Sequence, residues 1–303
     1  MLCAILLLVG SGLCWTCYGY CVSRCTKGGG DYDIVQGWCG LAVAFGGLCG
    51  VLLDCASKGR LAALPPDASA ASLATLALLG GGIGSCIFNS FVSKAMKTGP
   101  NGLVWAMTQA ALLAPFLMGV LVFHETPGPV RYIGVALVVV GVFLMGSTKN
   151  GGNGSGNLKW LGFTMLALLF AMASQCCCVI PAYYPEWNAT VAFRAMAANF
   201  GIFVGYLGAL ALKPSMRRWP TAFEGRLLVL QAIVSFISNF FLFYTGLDRL
   251  TALGAGGLAY PITISVCILG MEAYALVALR EKTPPQAFCG IAALLAGILC
   301  LSL

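Results

Sequence analysis

Hydrophobic residues occupy this chain in long runs, which short polar or glycine-containing turns separate. Ten of these runs carry almost no charge, and most approach the roughly 20 residues that a helix needs to cross a bilayer core of about 30 Å. The runs cover residues 2–22, 34–53, 71–93, 101–123, 131–148, 160–185, 191–212, 227–247, 252–279 and 284–303. A membrane β-barrel would instead show short alternating strands. The pattern therefore predicts an all-α membrane protein with ten transmembrane helices.

Composition supports this prediction. The chain is 59% hydrophobic and 9% charged, whereas a soluble domain carries about 25% charged residues. The net charge of +7 comes from cations placed singly or in pairs between apolar runs, so we expect no nucleic-acid partner. We expect the chain to lie in the lipid bilayer, as a multi-pass protein of a plasma or inner membrane. Most cations flank the side opposite the termini, which by the positive-inside rule places the termini outside.

Residues 257–302 repeat residues 101–146 at a constant offset of 156, without a gap. Each copy consists of a hydrophobic segment, a short turn that carries a glutamate, and a second hydrophobic segment. The matched pairs are Glu125 and Glu281, Pro129 and Pro285, Gly134 and Gly290, and Gly141 and Gly297. A repeat of this length predicts two structural halves.

The two halves are residues 1–148 and 159–303, and residues 149–158 between them form a linker rich in Gly, Asn and Ser. Five helices per half is an odd number, so the second half must enter the membrane from the opposite side. The sequence therefore predicts two inverted five-helix repeats. In that architecture, substrate sites form between the halves near the bilayer midplane.

Several motifs of the repeat resemble those of a known superfamily. They are Gly-Pro-Asn-Gly at 99–102, the turn that begins with Glu125, and Gly-Leu-Ala-Tyr-Pro at 257–261. With their following glycines, these motifs resemble the drug/metabolite transporter superfamily, and more narrowly its ten-helix, EamA-like branch. The resemblance implies secondary transport of small metabolites such as amino acids, sugars, nucleotide sugars or drugs, with cytoplasmic termini, contrary to the charge distribution.

The substrate remains open at this stage. The Gly-rich segment 28–37 is reminiscent of the glucose/ribose uptake branch, which makes sugar uptake one alternative. Such a loop also arises for helix packing alone. Small multidrug members rely on a glutamate in the first helix, and the first hydrophobic run here has no charge. This departure counts against a simple drug antiporter.

Polar side chains inside a membrane helix are costly and usually face a cavity or another helix. A small-molecule site needs apolar walls with a few convergent hydrogen-bonding groups. The candidates for substrate binding are Trp15, Tyr18, Asn89, Trp105, Gln109, Gln175, Asn239 and Tyr260. Asn89 and Asn239 lie in the similar strings Ile-Phe-Asn-Ser-Phe and Ile-Ser-Asn-Phe-Phe. Amides of this kind either bind substrate or link helices, and aromatics near helix ends also serve as interfacial anchors.

Glu272 is the acid that lies deepest in a predicted helix, where a carboxylate costs about 3 kcal/mol on insertion scales. It is the candidate for proton coupling. The alternative is a structural ion pair with Lys94, which ends the third helix on the same predicted side as Arg280. For Glu125 and Glu281, which lie at helix boundaries, helix capping is the favoured role.

Two further patterns leave alternatives open. Pro261 and the glycines before it either break the ninth helix or kink it. The fifteen cysteines lie mostly in apolar runs, and Cys14, Cys17, Cys21 and Cys25 share one helical face. We interpret them as packing residues, because no His or second CxxC supports a metal site. No metal and no cofactor are expected.

The function classes can then be compared. A membrane enzyme is disfavoured, because the sequence offers no mid-helix aspartate pair, Ser/His pair or metal cluster. A channel or a scaffold without active transport is the alternative to a transporter. We therefore predict a secondary active transporter of a small polar metabolite with a central site between the repeats. A small-molecule substrate and protons are the expected partners, and a homodimer is left open.

Overall fold

The computed structural model describes residues 1–58, 67–124, 126–147, 159–184, 187, 190–251, 253 and 259–302. Its ten helical segments are α1 (Leu2–Lys27), α2 (Tyr32–Lys58), α3 (Ala68–Thr98), α4 (Asn101–Leu121), α5 (Pro129–Gly146), α6 (Lys159–Tyr183), α7 (Val191–Leu212), α8 (Ala222–Phe243, continued by Tyr244–Thr251), α9 (Ala259–Val277) and α10 (Pro285–Ser302). The all-α prediction with ten helices is confirmed. The predicted linker 149–158 lies outside the described residues.

The outer surface is apolar along the length of the helices. Nine of the ten helices in the described part of the chain are long and apolar enough to span a bilayer, and α10 is a shorter apolar helix. Large side chains such as Leu6, Leu13 and Phe143 are exposed on this surface. An apolar surface of this extent is unfavourable in water and favourable in lipid. The chain is an integral multi-pass membrane protein.

The helices pack in a defined set of pairs. α3 packs against α6 and α7, and α1 packs against α8 and α9. α2 contacts α7 and α8, α4 contacts α6 and α9, and α5 pairs with α10. Six helices, namely α1, α3, α4, α6, α7 and α8, line the middle of the bundle. α5 and α10 contact mainly each other.

The α5–α10 pair is built on the four repeat-matched glycines. A Cβ atom on Gly134 would lie 2.8 Å from the carbonyl oxygen of Gly297, and one on Gly297 would lie 2.7 Å from that of Gly134. Gly141 and Gly290 approach each other in the same reciprocal way, at 2.7 and 2.9 Å. Any side chain here would separate the backbones, so the glycines are required for close helix packing.

Two helices depart from α geometry where they pass the middle of the bundle. α4 has a 3₁₀ turn at Gln109–Leu112, and α8 has a π-helical turn at Ser238–Phe243. Pro115 explains the first departure, because it lacks an N–H group and its ring clashes with the carbonyl one turn before it. Turns of this kind often occur at functional sites. Here they contain Gln109 and Asn239, two of the predicted site residues.

Candidate functional site

A cavity of about 320 Å³ lies between the six central helices. Its volume falls at the lower end of the range for small-molecule sites. The cavity is lined by Cys14, Trp15 and Tyr18 of α1, Ser85, Phe88 and Asn89 of α3, Trp105, Thr108 and Gln109 of α4, Ala171, Ser174 and Gln175 of α6, Asn199 and Ile202 of α7, and Val234, Ser235, Ser238 and Asn239 of α8. Residues 1–148 and residues 159–303 each contribute three of these helices.

The structure brings seven of the eight sequence-predicted site residues into this lining, namely Trp15, Tyr18, Asn89, Trp105, Gln109, Gln175 and Asn239. Tyr260 lies outside it. Its ring makes an edge contact with Phe243, with 4.8 Å between the centroids, and Phe243 stacks on Trp15. Tyr260 is thus one ring removed from the cavity, because it belongs to the first turn of α9. That the seven lining residues bind substrate stays a prediction.

Aromatic rings form one wall of the cavity. Tyr18 lies beside Trp105, with 6.2 Å between the ring centroids, and makes an edge contact with Tyr32. Trp105 is held by an indole N–H that donates to the sulfur of Cys267 at 3.1 Å. The indole N–H of Trp15 donates to the hydroxyl of Ser238 at 3.1 Å. The indole N–H groups are therefore occupied, and the cavity meets mainly the apolar parts of these rings.

The amides are placed differently from the aromatics. The amide nitrogen of Asn89 donates to the Tyr18 hydroxyl at 2.8 Å, while its oxygen is buried and has no partner. Gln109, Gln175 and Asn239 line the cavity and make no side-chain hydrogen bond to any residue that the structure describes. Their side chains are only partly buried and their polar atoms are accessible from the cavity, whereas the oxygen of Asn89 is itself buried. The arrangement leaves these three amides accessible to a ligand.

Sequence reasoning missed several polar residues of the lining. Ser85 and Ser174 share a hydrogen bond of 2.8 Å between α3 and α6. Asn199 of α7 faces the cavity, although its amide nitrogen donates to the carbonyl of Ala195 at 2.8 Å. Asn199 could have been found by the rule applied to the other amides, since it too is a polar residue within an apolar run. The serines gave no such signal, because small hydroxyl residues are common at helix contacts in membranes.

Beyond one end of the cavity lies a cluster of ion pairs, which we call the polar cap. Lys27 pairs with Glu281 at 3.0 Å, Lys213 with Asp33 at 3.0 Å, and Arg218 with Glu224 at 2.6 Å. All six residues lie at or near helix ends. The first two pairs each join a residue of 1–148 to a residue of 159–303. The polar cap therefore ties the two halves of the chain together at this end.

Glu224 is the best-satisfied acid of the polar cap, and its side chain is fully buried. It accepts two hydrogen bonds from Arg218 and one each from the backbone N–H groups of Asp31 and Thr221. Thr221 and Glu224 form a capping box that begins α8. The hydrogen bonds to Glu224 raise the pKa of Arg218, so the guanidinium stays charged.

Glu281 belongs to the polar cap, and its contacts differ from the predicted capping of the helix that follows it. It accepts a hydrogen bond from the amide of Asn101, and the backbone N–H of Gly102 lies 3.4 Å from its second oxygen. Glu281 therefore lies against the N-terminus of α4, where a negative charge is favoured. Its repeat partner Glu125 lies outside the described residues.

Glu272 of α9 is 5% exposed, and the structure does not form the ion pair considered from the sequence. Among the described residues, no base lies within ion-pair distance of its carboxylate, and Lys94 instead lies over the ring of Phe91. One carboxylate oxygen accepts from the hydroxyl of Thr283 at 2.7 Å, and the other is buried without a partner. A Cβ atom on Gly102 would collide with that second oxygen, so Glu272 packs directly on the start of α4.

The remaining sequence predictions can also be located. Pro261 lies in the first turn of α9, where its missing N–H is tolerated. The glycines at 254, 256 and 257 lie outside the described residues, so the predicted break or kink stays a prediction. All fifteen cysteines are described, and none forms a disulfide. Cys14 lines the cavity, and Cys21 and Cys25 are buried in the main hydrophobic core. No group of three metal-ligating side chains occurs in the described part of the chain.

Comparison with known proteins identifies the fold but no family. No protein-family model matches the chain, and no curated protein matches its sequence. Fifteen chains of solved structures match it. One of them, a crystal structure described only as that of a protein, aligns over 98% of this chain and 95% of its own length, with a TM-score of 0.62 and 15% identity. Similarity at this identity concerns the fold alone, so the resemblance to drug/metabolite transporters stays a prediction. The chain is an all-helical, multi-pass membrane protein that shares its fold with a protein of unnamed function.

Proposed function

We propose that the protein is a secondary active transporter that moves a small polar metabolite by alternating access, with the central cavity as its substrate site. The main support for this proposal is the composition of the cavity wall. Three helices from each half of the chain enclose it, and the amides of Gln109, Gln175 and Asn239 offer it hydrogen-bonding atoms that have no partner among the described residues. A site between two halves can be exposed to either side when one half rocks against the other. The proposal assigns no catalytic step to the cavity.

The pattern of helix contacts supports the two inverted repeats that this mechanism needs. If each of α1–α5 is matched in order with α6–α10, the α1–α8 contact corresponds to α3–α6, and α1–α9 corresponds to α4–α6. The α2–α8 contact corresponds to α3–α7, and α2–α7, α4–α9 and α5–α10 each correspond to themselves. The reciprocal glycine contacts between α5 and α10 follow the same rule. Such exchange symmetry is expected of two copies related by a pseudo-two-fold axis.

The polar cap supports a state that is closed at one end. Its acids are largely buried, whereas the paired side chains of Lys27, Lys213 and Arg218 are about 40% exposed. Opening this end would separate Lys27 from Glu281 and Lys213 from Asp33, since both pairs join the two halves. The bases can then be solvated at moderate cost, because they already reach the surface.

Proton coupling through Glu272 is part of the proposal. Glu272 packs on Gly102, and Trp105, one turn later on α4, forms the cavity wall and bonds to Cys267 of α9. A buried carboxylate without a base is poorly solvated in its charged form. Gain or loss of its proton would therefore change the packing of α4 beside the cavity.

Counterflow in proteoliposomes tests the proposal. Vesicles containing the full-length protein are loaded with unlabelled sugars, nucleosides or amino acids, and uptake of the labelled compound is followed. We expect saturable uptake that the internal compound accelerates. This is the behaviour of a carrier whose site crosses the membrane faster when substrate is bound. Linear, non-saturable flux would indicate a channel and contradict the proposal, and no flux for any class would favour a scaffold.

The substitution Glu272→Gln separates coupling from exchange. It removes the titratable proton and keeps the shape and the hydrogen bond from Thr283. We expect accumulation driven by a pH gradient to be lost while counterflow persists. Gradient-driven accumulation equal to that of the wild type would remove Glu272 from the mechanism and leave the carrier itself intact.

A further inference from the structure

The cavity is distinguished by the absence of formal charge in its lining. The eighteen described residues that line it include neither Asp, Glu, Lys, Arg nor His. The acids and bases of the polar cap are paired with each other, and Glu272 is directed to Thr283 and the start of α4. No described charge is therefore offered to a molecule bound among the six central helices.

This absence constrains the charge of the ligand. A formally charged group that leaves water for a site of low polarity requires a counter-charge or several strong hydrogen bonds, and otherwise costs several kcal/mol. The cavity supplies amides and hydroxyls but no counter-charge. An uncharged ligand avoids this cost, whereas a carboxylate, a phosphate or an ammonium group bears it in full.

The hydrogen-bonding groups of the cavity also favour one kind of polar ligand. A side-chain amide presents both a donor and an acceptor, and a serine hydroxyl does the same. Gln109, Gln175 and Asn239 have both capacities available, because they line the cavity and make no hydrogen bond to the described residues. A ligand hydroxyl is likewise donor and acceptor at once, so it pairs with either end of each amide. A carboxylate accepts only and would leave the amide oxygens unsatisfied.

Size and wall chemistry limit the ligand further. The volume of about 320 Å³ corresponds to roughly ten water-sized groups at about 30 Å³ each. Trp15, Tyr18 and Trp105 line the same space and present apolar ring surface. A compact ring with hydroxyl groups at its edge and C–H groups on its face matches both kinds of wall.

We infer that the substrate is an uncharged polyhydroxylated molecule of about monosaccharide size, which the cavity amides bind through its hydroxyl groups. This inference rests on the proposed function and narrows its substrate class. It excludes amino acids, nucleotide sugars and cationic drugs, each of which carries at least one formal charge.

A matched set of ligands tests the inference on the purified full-length protein. Thermal unfolding is measured with glucose, galactose, mannose, ribose and inositol, and then with glucosamine and gluconate, which add an ammonium or a carboxylate to a similar carbon skeleton. We expect at least one neutral member to stabilise the protein and its charged counterpart to bind about tenfold more weakly or worse.

The substitution Asn239→Asp provides the internal check, because it puts a carboxylate of the same shape into the cavity. We expect the neutral ligand to bind at least about tenfold more weakly and the preference to shift toward glucosamine. Gln286→Glu is the matched control, since Gln286 lies on α10, bonds to Ser147 and is exposed. Gln175→Glu serves as the second cavity variant if Asn239→Asp does not fold.

Three outcomes would count against the inference. Binding of gluconate or glucosamine as tight as that of the neutral sugars would overturn it, and so would an Asn239→Asp variant that binds like Gln286→Glu. Failure of every neutral member to bind would also overturn it. The proposed transport function is judged separately, because counterflow of any compound, charged or neutral, would leave that function standing.

Discussion

The polar cap and the central cavity are both polar regions inside an apolar bundle, and they differ in how their polar groups are satisfied. In the polar cap, the buried carboxylate of Glu224 accepts four hydrogen bonds. In the cavity, Gln109, Gln175 and Asn239 make none to the described residues. Buried polar groups that bond to each other stabilise a fold, whereas polar groups that face a cavity contribute little to stability and stay accessible to a ligand. We therefore expect substitutions in the polar cap to lower stability and substitutions of the cavity amides to affect ligand binding.

The largest expected loss of stability comes from disrupting the polar cap at Glu224, its most buried acid. Arg218→Ala removes two of the four donors of Glu224 and leaves a buried carboxylate without its counter-charge, which should destabilise the protein by about 3 kcal/mol. Arg217→Ala, one residue earlier at an exposed position, is the control and should stay within about 0.5 kcal/mol. Thermal unfolding in detergent measures both. Equal unfolding temperatures for the two variants would contradict the stabilising role of the cap.

A second prediction concerns the contact that links the cap region to the cavity wall. Gly102→Ala places a methyl group against the carboxylate of Glu272, and overpacking of this kind costs about 1–3 kcal/mol. Adding Glu272→Ala should recover part of the loss, because it removes the colliding oxygen. A double-mutant cycle of unfolding temperatures measures the coupling. Strict additivity of the two substitutions would show that the residues do not touch.

The smallest expected effect on stability belongs to the cavity. Gln175→Ala and Asn239→Ala remove amides that have no partner in the described structure, so we expect changes within about 0.5 kcal/mol together with strongly reduced substrate binding. Ser238→Ala sharpens the contrast, because Ser238 bonds to Ser11 at 2.9 Å and to Trp15 at 3.1 Å. It should cost about 1 kcal/mol. An unfolding temperature that falls as far for Asn239→Ala as for Arg218→Ala would remove the distinction between the two regions.

The length of the apolar runs was sufficient to predict the helices, because lipid leaves few alternatives for an apolar run of this length. The matched glycines could also be predicted to matter, since close packing needs residues without side chains. Gln109 and Asn239 were found because a polar residue at depth is costly unless it has a purpose. These inferences use properties of single segments.

Contacts between distant segments could not be predicted in this way. The pairing of Lys27 with Glu281 depends on the ends of α1 and α9 meeting, and nothing in either segment specifies the other. The same holds for Glu272. Lys94 was its candidate ion-pair partner in the sequence, whereas in the structure the hydroxyl of Thr283 donates a hydrogen bond to it. The π-helical turn of α8 contains no proline from which it could have been predicted. Tertiary packing decides all three.

Counterflow with wild-type and Asn239→Ala proteoliposomes is the decisive experiment on whether the cavity is the substrate site of a carrier. We expect an internal neutral sugar to accelerate uptake of its labelled form in wild-type vesicles. We expect Asn239→Ala to reduce this exchange greatly without lowering the unfolding temperature. Exchange at the wild-type rate in the Asn239→Ala vesicles, or wild-type flux that neither saturates nor responds to internal sugar, would contradict this role of the cavity.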